Sequence, residues 1–101
     1  MSVHQAVQLW EQLRTYRLQL ADAAADLGHA LGRGGEYAEA EPLLRTAVAI
    51  YESCCRADDA RLAASLTALG AACAARGRPG EAERLCRRAL EIIETRALER
   101  S

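Results

Sequence analysis

Asp22, Asp26, His29 and Arg33 stand at positions i, i+4, i+7 and i+11 of the chain, a spacing that brings all four to one face of a helix. Two carboxylates beside an imidazole and a guanidinium can hold a basic peptide or form a solvated wall. They make a poor metal site, because ligands confined to one helix lack the second element that completes a coordination sphere, and no metal is expected. The cysteines are the next reactive groups. Cys73 and Cys86 fall at apolar positions and are expected in the core. Cys54 and Cys55 lie near a predicted linker and are expected at the surface, with Arg56 the one neighbour placed to lower a thiol pKa. Their spacing fits neither a zinc site nor a thioredoxin-like motif. No nucleophile with its base, phosphate loop or pair of pocket carboxylates is recognisable, so no catalytic residue and no cofactor is expected, and the chain reads as a non-enzyme.

Other charged and aromatic residues fit structural roles. Arg84, Arg87 and Arg88 interleave with Glu81, Glu83, Glu91 and Glu94 at salt-bridging spacing, the pattern of a solvated helix face. Trp10, the single tryptophan, is expected in the core against the following helix. A net charge of -1, with 13 arginines and no lysine against 14 acids, supplies no basic field for a phosphate backbone, so nucleic acid is not an expected partner. The opening residues lack a basic start followed by an apolar run, which points away from a signal peptide or membrane span and towards a cytoplasmic protein with reduced thiols.

These side chains must be positioned by helices. Residues 20–52 recur at 62–94 with a constant offset of 42, and 14 of the 33 aligned positions are identical, among them Leu20/Leu62, Leu27/Leu69, Gly28/Gly70, Ala40/Ala82, Glu41/Glu83 and Arg45/Arg87. Repeats of this length generally stack, each burying its apolar face on the next. Within each copy the apolar residues follow helical spacing, and the glycines of Gly32–Gly35 and Arg76–Gly80 interrupt them, so each copy is predicted to be a helix hairpin. Asp58 or Asp59 can cap the helix after the linker. Ala6, Val7, Leu9, Trp10 and Glu11 echo Ala47, Val48, Ile50, Tyr51 and Glu52 at an offset of 41, so the first residues read as the second helix of a partial repeat. The expectation is all-α, with about five helices over 3–16, 19–33, 37–55, 59–76 and 80–97; the first two can fuse, since nothing between residues 4 and 27 breaks a helix. The divisions are 1–19, a partial repeat or N-terminal helix, 20–58 and 59–97, two repeats, and 98–101, a tail.

The first copy supplies Ala24, Leu27, Gly28, Leu31, Gly35, Tyr37, Ala40, Leu44 and Ala47, and the second Leu66, Leu69, Gly70, Cys73, Gly77, Ala82, Cys86 and Ala89. These residues resemble the tetratricopeptide repeat. The period of 42, with the segments Glu39–Leu44 and Asp58–Leu66, is similar to the kinesin-light-chain type, although Asp59 and Ala60 stand where that type has His and Pro. The resemblance implies a solenoid in which Gly28 and Gly70 let paired helices touch against Ala40 and Ala82. It also implies a scaffold whose concave groove, lined by the first helix of each hairpin, receives a protein or peptide partner. Groove residues would be Asp22, Asp26, His29 and Arg33 from the first copy and Thr67 and Ala71 from the second. The light-chain type places asparagines near Thr67; this chain has none, and its alanine-rich stripe suits a packed helix better than an extended peptide. About two and a half hairpins fall short of the ~3 that solenoids generally need. The alternative function is therefore a structural homo-oligomer, with a homodimer as one form, in which chains stack to complete the solenoid.

Overall fold

A computed structural model describes residues 1–55 and 59–100. It contains four helices, α1 (Val3–Arg33), α2 (Tyr37–Cys54), α3 (Ala60–Ala75) and α4 (Pro79–Arg100), with no strand among the described residues. The expected all-α hairpin solenoid is borne out, with four helices in place of about five because the first two are one. Ser2 starts α1 with a capping box: its hydroxyl accepts from the Gln5 backbone N–H at 3.2 Å while its own N–H donates to the Gln5 side chain at 3.0 Å. With no Gly or Pro between residues 4 and 27, nothing stops the helix before the glycines. At ~1.5 Å per residue, the 31 residues of α1 make a helix about 46 Å long.

Helix α1 packs on α2, α3 packs on α4, and α2 crosses to α3; α1 touches α3 more lightly. The two hairpin turns share one device. Gly35 and Gly77 adopt φ of 83° and 82°, the left-handed conformation that glycine enters without steric cost. Just beyond them, the N–H groups of Glu36 and Arg78 donate to the carbonyls of Leu31 and Cys73 at 2.8 and 2.9 Å, as in a Schellman end. Within each hairpin a glycine marks the crossing. A Cβ on Gly28 would lie 2.8 Å from Leu44 Cγ and 3.5 Å from the Ala40 carbonyl; on Gly70 it would lie 2.6 Å from Cys86 Sγ and 3.3 Å from the Ala82 carbonyl.

The core centres on the α2–α3 contact, where Leu44, Ala47, Tyr51, Leu62, Leu66, Leu69 and Cys73 are buried. Burial also pushes the Cys73 thiol pKa up, as expected of a core cysteine. Three sequence expectations need correction. Trp10 is 64% exposed, because the straight α1 carries residues 1–17 into solvent instead of folding them back. Cys86 reaches Gly70 but is exposed, since among the described residues α4 packs on α3 alone. Cys54 is buried and Cys55 half-buried. Near them Arg14 donates to the Cys54 carbonyl through Nε and Nη2 at 2.9 and 2.6 Å, and Arg17 donates to Ser53 Oγ at 2.8 Å; a cation at this C-terminus also complements the helix dipole. Asp59 caps α3, accepting from the Arg61 backbone N–H at 2.7 Å, whereas Arg56 and Asp58 lie outside the described residues. No helix among the described residues is long and apolar enough to cross a membrane.

One ion network ties the repeats together. The buried Glu41 carboxylate accepts from Arg45 at 3.1 Å, from Arg76 at 3.1 Å and from Arg78, while Arg45 also reaches Glu81 at 2.6 Å. Burial alone would raise the Glu41 pKa; hydrogen bonds and charge from Arg78 and Arg45 outweigh it and hold the carboxyl below its ordinary value.

Candidate partner-binding cleft

Asp22, Asp26 and His29 share one wall of a cleft of about 380 Å³ between α1 and α3. Helical spacing on α1 aligns them. Ala25 leaves room between them, Tyr51 of α2 forms the floor, and Arg61, Ala64 and Ser65 of α3 form the opposite wall. The Tyr51 hydroxyl donates to Asp22 Oδ1. Burial, then the Asp22 hydrogen bond, raises the Tyr51 pKa above the ordinary phenol range, so the ring remains a neutral donor. Arg61 places its guanidinium 5.3 Å from the Tyr51 ring centroid and 3.7 Å from Asp22 Oδ1. It also bonds the Asp59 carboxylate at 3.2 Å. That hydrogen bond holds the Asp59 pKa below its ordinary value against the opposing effect of burial, and it raises that of Arg61.

Two groups in this cleft have capacity to spare. Asp26 is exposed and no ion pair is formed with it among the described residues. Ser65 is 1% exposed, and among the described residues its Oγ has no hydrogen-bond partner, an arrangement that costs free energy unless a partner is supplied. The cleft therefore presents one open carboxylate and one imidazole above an apolar and aromatic floor, with the Ser65 hydroxyl buried in its α3 wall. Such a surface can orient a side chain or helix by hydrogen bonding, and it offers no activated nucleophile.

The six residues expected in the groove do not form one site. Asp22, Asp26 and His29 meet in this cleft; Thr67 lines a second cavity of about 350 Å³, between α3 and α4, with Ala60, Ala63, Ala64, Ile93 and Ala97 among its walls. Arg33 and Ala71 are exposed and line neither cavity. Sequence reasoning missed Tyr51, Arg61 and Ser65. Ser65 carried a signal, as a hydroxyl on the otherwise apolar row Leu62, Leu66, Leu69; the partners of Tyr51 and Arg61 lie on other helices, and local spacing carries no mark of them. Among the described residues no three His, Cys, Asp or Glu side chains converge as a metal site.

Two helix hairpins with repeated glycine crossings and repeated turns define a helical-repeat protein of the solenoid class. A tetratricopeptide-repeat family profile matches residues 20–95, and the chain belongs to that family, whose repeats are non-catalytic and generally mediate protein–protein interactions. No curated protein matches the chain significantly. No solved structure does so either.

Proposed function

We propose that this chain is a non-enzymatic interaction scaffold of the cytoplasm that receives a partner helix or peptide along the α1/α3 cleft. The observation that carries the reading is the exposed Asp26 carboxylate, which forms no ion pair among the described residues and lines the cleft beside His29. Asp22 is already engaged by Tyr51 and Arg61, so Asp26 and His29 supply the polar contacts and the alanines admit a close helix backbone. The fitting partner is a helix with an apolar face and one Lys or Arg to meet Asp26. A longer partner would run on to Arg33, or across α3 to Thr67 and Ala71. The period of 42 and the segments around Pro42 and Asp59 support assigning the repeats to the kinesin-light-chain type.

Helical peptides selected from a displayed library against the folded chain, then measured by calorimetry, test this directly. The double variant Asp26→Ala/His29→Ala is expected to bind the selected peptides about tenfold or more weakly, since a charge-assisted hydrogen bond contributes ~1.5–3 kcal/mol. Unchanged affinity would remove the cleft from the binding surface.

A second reading, self-assembly in which copies complete each other's solenoid, is favoured by the large apolar residues exposed at the two ends: Leu20 and Leu27 on α1, Leu90 and Ile93 on α4.

A further inference from the structure

Six α2 positions, Leu44, Ala47, Val48, Ile50, Tyr51 and Cys54, are buried. Shifted back by 41 residues they become Val3, Ala6, Val7, Leu9, Trp10 and Leu13, all apolar and all exposed on α1. Further along the same helix Leu20, Ala23, Leu27 and Ala30 are exposed, whereas their counterparts 42 residues on, Leu62, Ser65, Leu69 and Ala72, are buried. Helix α1 therefore carries two complementary parts. One is the face of a first-type helix that no described helix covers; the other is a segment patterned like the second-type helix that covers such a face.

The two parts cannot meet within one chain. They are joined by unbroken helix, and the bonds from Arg14 to Cys54 and from Arg17 to Ser53 tie the junction to the end of α2. We infer that two copies of this chain pair antiparallel along α1, residues 3–13 of each lying on the Leu20, Ala23 and Leu27 face of the other. The antiparallel sense follows the pairing of α2 with α3, in which Tyr51 meets Arg61 and Arg45 meets Cys73. Neither apolar stripe carries a charge, so contact buries no unpaired ion. The exchange is two-fold and closed, so it ends at the dimer. The two reciprocal contacts remove on the order of 1,000–1,500 Å² from water, the scale of specific interfaces. At ~100° per residue, Asp22 and His29 lie well away from this stripe while Asp26, one turn from Ala23 and Ala30, borders it, so the Asp22 and His29 side of each cleft faces away from the pairing surface. The inference rests on the self-assembly reading and gives it a surface and a symmetry.

Sedimentation equilibrium of the whole chain under reductant, over a wide concentration range, is the test. The expected species is a dimer of the 10.9 kDa chain, with Trp10 emission shifting to the blue as dimer forms. Trp10→Glu and Leu27→Glu, both at exposed positions of the single chain, are each expected to weaken dimerisation about tenfold or more, since each buries a charge without a partner; circular dichroism checks that the fold is retained. An equimolar mixture of the two variants is expected to dimerise more than either variant alone, because one contact of the mixed pair joins an intact arm to an intact face while both defects gather in the other. Leu90→Glu on α4 is expected to change nothing. A monomer at every concentration overturns the pairing and the self-assembly reading together. A dimer indifferent to Trp10→Glu but broken by Leu90→Glu overturns the pairing alone and favours end-to-end stacking. A mixture that dimerises no more than either variant alone overturns the reciprocal exchange and points to arm meeting arm in parallel.

Discussion

Leu20 and Leu27 in the first repeat are 57% and 53% exposed; the same residues of the second repeat, Leu62 and Leu69, are 1% and 2% exposed. The two hairpins share their glycine crossings and turns, and they differ in what stands beside them. The first-type helix of the second repeat has α2 against it, while among the described residues no helix lies on the corresponding face of α1. The identical pairs Glu41/Glu83 and Arg45/Arg87 divide in the same way. Glu41 is buried among three arginines, two of them from the second hairpin, whereas Glu83 makes an i,i+4 pair at 2.5 Å with Arg87, both side chains 68% exposed. Identical residues therefore take core or surface roles according to the place of their repeat in the stack, as nearest-neighbour coupling in a solenoid requires.

The sharpest way to break that contrast is to truncate the same leucine in each repeat. Leu69→Ala is expected to destabilise the chain by about 2–5 kcal/mol through lost burial and the cavity left behind. Leu27→Ala, measured at concentrations where the chain is monomeric, is expected to cost less than about 1 kcal/mol, as for an exposed position. Urea unfolding followed by circular dichroism reads both values, and equal losses would show that the repeats are energetically equivalent. Raising the protein concentration sharpens the comparison: if α1 pairs with a second copy, the cost of Leu27→Ala grows and that of Leu69→Ala does not.

A smaller difference is expected for the glutamates. Glu41→Gln removes the charge that three guanidinium groups share, and those groups keep access to water at 39–43% side-chain exposure. The expected loss is therefore about 1–2 kcal/mol, below that of a fully buried ion pair. Glu83→Gln loses only an exposed pair, about 0.3–0.5 kcal/mol. Equal effects would show that the network around Glu41 contributes no more than a surface contact.

The hairpin architecture was legible in the sequence because its determinants are local. Glycines at the crossings, glycines at the turns and 3.6-residue apolar spacing each act within one copy, and the 42-residue offset repeats them. The fusion of the first two helices was legible as an option, since residues 4–27 contain no breaker. What stands opposite a given face was not legible. Spacing showed that Trp10, Leu27 and Cys86 lie on apolar stripes, but not that those stripes look outwards, because burial depends on a neighbour from outside the repeat. Half of the expected binding residues met in one cleft for the same reason: Asp22, Asp26 and His29 share a helix, while Thr67, on α3, lines a second cavity.

Acid gives the finest test of the inter-repeat contact at Glu41. The Glu41 carboxyl titrates below its ordinary value of 4.5 in the folded chain, so the unfolded chain binds its proton first as pH falls. This group's contribution to stability is complete above the ordinary value and is lost as pH drops through the folded one. Asp59, held down by Arg61, acts in the same sense, so the wild-type chain loses stability on acidification for more than one reason. Glu41→Gln removes one of these contributions. Its stability is expected to fall less steeply with pH below about 4.5, the two curves converging towards the acid end. Urea midpoints collected across that range measure the slopes. A Glu41→Gln curve parallel to the wild type would mean that the inter-repeat network does not hold the carboxyl ionised, and would leave Glu41 set apart from its counterpart by burial alone.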